Sequence, residues 1–175
     1  MKTITTVTVT PRGAVLDGKL ITTADISGIY RELIGGYPKF FKMDMLCRLG
    51  FVAAELLLRD IPAEVREEMA VVLFNRSGSA HTDRNYQQTI MPDNYFPSPA
   101  LFVYTLANIV TGEIAIRHKI YGETSMHILD REDEAEMESV AEGVWCTSNP
   151  PMLMWGWLEY DSPESYRACF KLGTK

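Results

Sequence analysis

The side chains with the widest chemical range in this 175-residue sequence are three cysteines, three histidines and one dense acidic run. Cys47, Cys146 and Cys169 contain no CxxC pair, so no cysteine-built zinc cage or dithiol centre is encoded, and free thiols are expected. A thiol turns nucleophilic where positive charge or a helix N-terminus lowers its pKa. Cys47 falls mid-helix among apolar residues, which assigns it to packing. Cys146, beside the polar Thr147-Ser148, is the fallback nucleophile. His81-Thr82-Asp83 would converge two metal or acid/base groups in an extended segment, yet no third ligand is evident. His118 sits in Arg117-His118-Lys119, a basic helix end where cations meet the dipole. His127 shares a strand face with Ser125 and Leu129 and reads as a buried or interface imidazole.

Two further patterns suggest anions and acids. Asn75-Arg76-Ser77-Gly78-Ser79 follows an apolar run and resembles a phosphate cradle, because such loops present backbone N–H groups. It has neither GxGxxG nor GxxxxGK[ST] spacing, and no GxSxG elbow occurs in the chain. Asp130, Glu132, Asp133, Glu134, Glu136 and Glu138 place six carboxylates in nine residues, a density that coats a solvated face. Met137, Val140, Ala141 and Val144 form the opposing apolar stripe, so residues 130–143 read as an amphipathic helix. No metal or other cofactor is expected.

The elements that must position these groups alternate between strand and helix. Thr-rich residues 3–9 predict a strand, and Asp17-Gly18 predicts a hairpin turn between 13–16 and 19–22. Residues 41–59 read as a mostly buried helix, Asp60-Ile61-Pro62 as the capped start of a short one, and 70–74 as a strand buried on both faces. Ser98-Pro99 opens another helical region that continues over 108–120. Strands follow at 124–129 and 152–158, then a polar tail from about 161. This alternation predicts a single α/β domain over 1–175 with one mixed sheet covered by helices. Seventeen basic against 23 acidic residues give a net charge of −6, the wrong sign for a nucleic-acid binder or an anionic membrane. Apolar runs fall short of the roughly 18 residues of a span, and no secretory signal is expected. A cytoplasmic protein is expected.

Residues 96–117, FPSPALFVYTLANIVTGEIAIR, resemble the SPxLF…PNxxAGxIAI segment of the β-ketoacyl synthases of fatty-acid and polyketide synthesis. Tyr121-Gly122-Glu123-Thr124-Ser125 stands where that family has its glycine turn before the nucleophile strand, and residues 70–79 and 152–158 look like two more of its strands. The resemblance covers about 40–160 and is most specific at 96–128. It implies a thiolase-like fold, of which this chain has room for one half. The family's catalytic histidines and lysine lie in the other half, so none carries over. Its cysteine should fall near Leu129, Asp130 or Arg131, and none of these is a thiol.

What the resemblance implies is therefore a ketosynthase-like, non-condensing subunit of acyl-chain biosynthesis, comparable with the family's chain-length factors. Two alternatives stand beside it: an acyltransferase or thioesterase using Cys146, and an acyl carrier protein binding module using Arg117-His118-Lys119. The resemblance also places the dimer-forming strand of thiolase-fold proteins at Thr124, Ser125, Met126, His127, Ile128 and Leu129. It implies a homodimer, or pairing with a full-length ketosynthase, with His127 near the interface.

Overall fold

Threonines alternating with Val7 and Val9 build β1 (Lys2–Thr10), which buries both valines and leaves Thr5, Thr6, Thr8 and Thr10 half-buried. In this computed structural model, which describes residues 1–90, 93 and 96–174, β2 (Gly13–Leu16) and β3 (Lys19–Thr22) follow as the expected hairpin. Asp17 and Gly18 turn it with φ of +48° and +77°. The Asp17 carboxylate also accepts from Thr6 N–H at 2.8 Å, which fastens the turn to β1.

Asp25 caps α1 (Ile26–Ile29), which runs into a wide turn at Tyr30–Ile34 and then a tight one at Pro38–Lys42. The long buried helix is α2 (Met45–Leu58). It starts later than the sequence suggested because Asp44, accepting from Cys47 N–H at 2.9 Å, is its N-cap. Phe40, just upstream, stacks on Tyr30 instead, with ring centroids 4.0 Å apart. The short helix α3 (Ala63–Glu68) is preceded by Pro62 as N-cap, so Asp60 does not cap it and pairs with Arg59.

β4 (Ala70–Asn75) is buried at every residue, as its uninterrupted apolar run requires. A helix that the sequence did not announce, α4 (Ala80–Gln87), follows its loop. Ser98 caps α5 (Pro99–Val103), and α6 (Ile109–His118) ends on Lys119 in the left-handed conformation. β5 (Thr124–Ile128) leads to α7 (Glu134–Ser148), whose N-cap is Asp133. Residues 130–132 therefore precede the helix that was expected to include them.

The largest correction lies at the C-terminal end. β6 (Leu153–Ser162) continues past residue 158, and residues 165–174 form β7 (Ser165–Thr174) rather than a polar tail. Ala168, Phe170 and Leu172 alternate inward with Arg167, Cys169 and Lys171, the period of a half-buried strand. The sheet order is β3-β2-β1-β7-β6-β4-β5, with β4 parallel to β5 and β6 and the other pairings antiparallel.

One face of the sheet packs on α2 and α6 through Val7, Val71, Leu73, Met154 and Phe170. On the opposite face, α7 seats Met137, Ala141 and Trp145 on Val72, Phe74, Trp155 and Trp157. Two acidic residues of that run are not merely solvated, because Glu132 pairs with Arg167 and Glu134 with Lys171 on β7. Among the described residues, no helix is long and apolar enough to cross a membrane.

Candidate functional site

Because β5, β4 and β6 run parallel, their carboxyl ends open at one end of the sheet, the place where α/β sheets ordinarily build sites. Asn75 closes β4 there. Its buried side chain donates to Gly78 O at 2.8 Å and accepts from Gly78 N–H at 3.1 Å, while its carbonyl takes Leu129 N–H at 2.8 Å. These bonds hold the β4 loop against the end of β5.

That loop presents N–H groups to an acid, as its composition suggested, but the acid is internal. The Glu159 carboxylate, from β6, accepts from Arg76 N–H at 2.8 Å, from Ser77 N–H at 3.4 Å and from the Ser77 hydroxyl. A phosphate reading of the loop is thereby corrected, since the cradle is already filled by a charge-assisted partner.

His81-Thr82-Asp83 lies on α4, where residues two apart diverge around the axis and cannot share a metal as they could in a strand. The His81 ring has Nδ1 at 3.0 Å from Asp161 O and meets Tyr160 edge-on at 4.9 Å. Thr82 donates to Asp44, and Asp83 lies 3.2 Å from the Ser79 hydroxyl. Among the described residues, no three His, Cys, Asp or Glu side chains are grouped to hold a metal.

Beside His81 a cavity of about 400 Å³ opens between the start of α1, Met45 of α2 and the β6–β7 hairpin. Ile26, Met45, Tyr160 and Tyr166 make its wall mainly apolar, and Asp25 and His81 add polar points. Burial pushes the Tyr160 and Tyr166 hydroxyls above the usual phenol range, so both are neutral donors. The arrangement suits an organic group with an apolar body.

At the expected nucleophile position, Leu129 is half-buried against the α7-side core, whereas Asp130 and Arg131 are exposed. Arg131 pairs with Asp133 at 3.1 Å. Burial, then the Asp44 carboxylate, pushes the Cys47 thiol well above its usual range and leaves it inert. Cys146 is exposed on the last turn of α7. The strand that carries His127 is an edge, and the ring stacks on Phe74 at 5.4 Å with Nε2 3.1 Å from Ser125 Oγ.

Arg117-His118-Lys119 does not form the compact basic patch that consecutive numbering suggests. Arg117 is tied to Glu55, His118 is buried, and Lys119 is exposed at the helix end. Nor is His118 a helix-capping cation. Burial, reinforced by Arg66 and Arg117 and opposed by Glu55, lowers its pKa to about 4. Sequence reasoning also missed Glu113, buried within the most specific stretch of the resemblance. Its carboxylate lies 2.8 Å from Lys39 Nζ and accepts from the Tyr104 hydroxyl at 3.2 Å. Glu113 was legible only as a lone acid inside an apolar helix.

Neither a protein-family model nor a curated protein matches the chain. Solved structures do. A chain of the ketosynthase (ApeO) in complex with its chain length factor (ApeC) from Xenorhabdus doucetiae is similar over 99% of this chain and 79% of its own, with a TM-score of 0.70 and 13% identity. A chain of the ishigamide ketosynthase/chain length factor is similar over 99% of this chain and 61% of its own, with a TM-score of 0.73 and 17% identity. The protein thus spans three fifths to four fifths of these two chains. With a seven-stranded mixed sheet between helical layers and these neighbours, the chain has the thiolase-like fold of ketosynthase-type proteins.

Proposed function

We propose that this protein is a ketosynthase-like subunit without condensing activity, working beside a ketosynthase in polyketide-type or fatty-acid-type acyl-chain biosynthesis in the cytoplasm. One observation carries the reading. Within a fold shared with ketosynthase and chain length factor complexes, β5 runs into Leu129-Asp130-Arg131, which offers no thiol at the carboxyl end of the strand. An acyl group cannot be held covalently there as a thioester. The free edge of β5 supports a pairing role, either with a second copy of this chain or with a full-length ketosynthase.

Incubation with acyl thioesters followed by intact-mass measurement tests the reading. The protein is expected to remain unmodified. A stoichiometric acyl adduct that disappears in Cys146→Ala would overturn it in favour of an acyltransferase or thioesterase.

A further inference from the structure

The cavity beside His81, between α1, α2 and the β6–β7 hairpin, holds two polar groups that the fold leaves unused. His81 Nδ1 lies 3.0 Å from Asp161 O. A carbonyl only accepts, so Nδ1 carries the proton and the neutral ring keeps Nε2 as its acceptor. Among the described residues that Nε2 has no hydrogen-bond partner, and it remains accessible. The Tyr160 hydroxyl is likewise unpartnered and accessible, and it is a neutral donor. The two rings meet edge-on with centroids 4.9 Å apart, so a free acceptor and a free donor stand side by side on one wall. The Tyr166 hydroxyl is sealed from the cavity and takes no part.

The rest of the wall is mainly apolar. Tyr160 and Tyr166 face each other across the hairpin and stack with centroids 5.7 Å apart at 16°. Ile26 from α1 and Met45 from α2 complete the lining. A space of about 400 Å³ lies within the range of small-molecule sites and admits one aromatic ring with a short substituent. The stacked tyrosines and the Met45 thioether favour such a ring over an alkyl chain.

Charge and hydrogen bonding narrow the substituent. Asp25 is exposed at the edge of the cavity and disfavours an anion. A cation gains little from it: an exposed ion pair is weak in water, one Asp25 oxygen is engaged by Gly28 N–H at 2.7 Å, and Met45 and His81 stand in the first turns of α2 and α4, at their positive ends. A wholly apolar ligand would cut off Nε2 and the Tyr160 hydroxyl from water without replacing it. A hydroxyl both donates and accepts, so a single group serves the pair.

We propose that this cavity binds a small, uncharged aromatic alcohol, its hydroxyl donating to His81 Nε2 and accepting from the Tyr160 hydroxyl while its ring lies against Ile26, Met45 and the tyrosines. The site is independent of the ketosynthase-partner reading, and either can fail without the other.

Titration of the whole protein, carbon-13 labelled at its methionine methyls, with benzyl alcohol is the test, read by NMR. The Met45 methyl, identified by Met45→Leu, should shift saturably with a Kd of about 1 mM. Benzyl methyl ether keeps the ring and an acceptor but has no donor, and should bind about fivefold more weakly. Benzoate should not saturate. His81→Phe keeps an edge-on ring and removes the acceptor, so it should weaken the alcohol about fivefold and leave the ether unchanged. No saturable shift of Met45 up to about 20 mM, equal binding of alcohol and ether, tighter binding of benzoate, or a His81→Phe protein that loses both ligands alike would overturn the proposal.

Discussion

Protonating His118 should destabilise the protein by a calculable amount. Its pKa falls from 6.5 to about 4 chiefly because the ring is buried, with Arg66 and Arg117 adding to the shift and Glu55 opposing it. The unfolded chain therefore takes up a proton near pH 6.5 that the folded chain refuses until about pH 4. Between those values the unfolded state binds more protons, so stability falls as pH falls; above 6.5 the two states bind equally and nothing is lost. A difference of about 2.5 units at 1.36 kcal/mol each caps the loss at about 3 kcal/mol, of which about 2 kcal/mol is reached by about pH 5. Urea unfolding followed by tryptophan fluorescence, at about pH 7 and pH 5 in buffers free of oxyanions, measures the loss. His118→Asn keeps an acceptor for Arg66 but cannot titrate, so it cancels the contribution of carboxylates elsewhere. Wild type should lose about 2 kcal/mol more than the variant over that interval. Parallel losses in the two proteins would refute the assignment of a buried neutral imidazole.

Three other outcomes follow from particular contacts. Gly156 has φ of +151°, and a Cβ there would lie 2.0 Å from Cys169 O, so Gly156→Ala should cost more than about 4 kcal/mol. A variant with the wild-type urea midpoint would contradict that geometry. Glu159→Gln weakens the acceptor for the Arg76 and Ser77 N–H groups and should lower stability by about 1–2 kcal/mol. Hydrogen exchange should quicken at those two amides and remain unchanged along β4. Leu129 N–H points inward to Asn75 O, so by the strand's alternation Met126 N–H points outward from the sheet. Light scattering should accordingly find a wild-type dimer and a Met126→Pro monomer; a wild-type monomer at micromolar concentration removes the homodimer, and an intact dimer in the variant moves the interface elsewhere.

Local signals carried the elements that depend on neighbours in sequence. The apolar run of β4, the Asp17-Gly18 hairpin and the Ser98-Pro99 helix start are all governed by a few adjacent residues, and each forms as read. β7 was hidden because the polar turn before it masked the alternation of Ala168, Phe170 and Leu172. α4 has few apolar residues, so no periodicity marks it. The site chemistry escaped for a different reason. Glu159 reaches Arg76 across 83 positions, and Glu55 reaches Arg117 across 62, so neither pairing leaves a trace in local spacing. Consecutive numbering misled in the opposite way at Arg117-His118-Lys119, since a helix end sends adjacent side chains in different directions.

The position of β7 between β1 and β6 has a kinetic meaning. It joins residues 2–9 to residues 168–174, so the hairpin half of the sheet and the parallel half meet only through one late strand. Until that strand arrives during synthesis, β1 and β6 each present an unpaired edge, and contacts of such long sequence separation form slowly. The waiting intermediate is the species most prone to stick to other chains. Loss of residues beyond about 161 would therefore leave two unsealed sheet edges and an aggregating chain, not a trimmed domain.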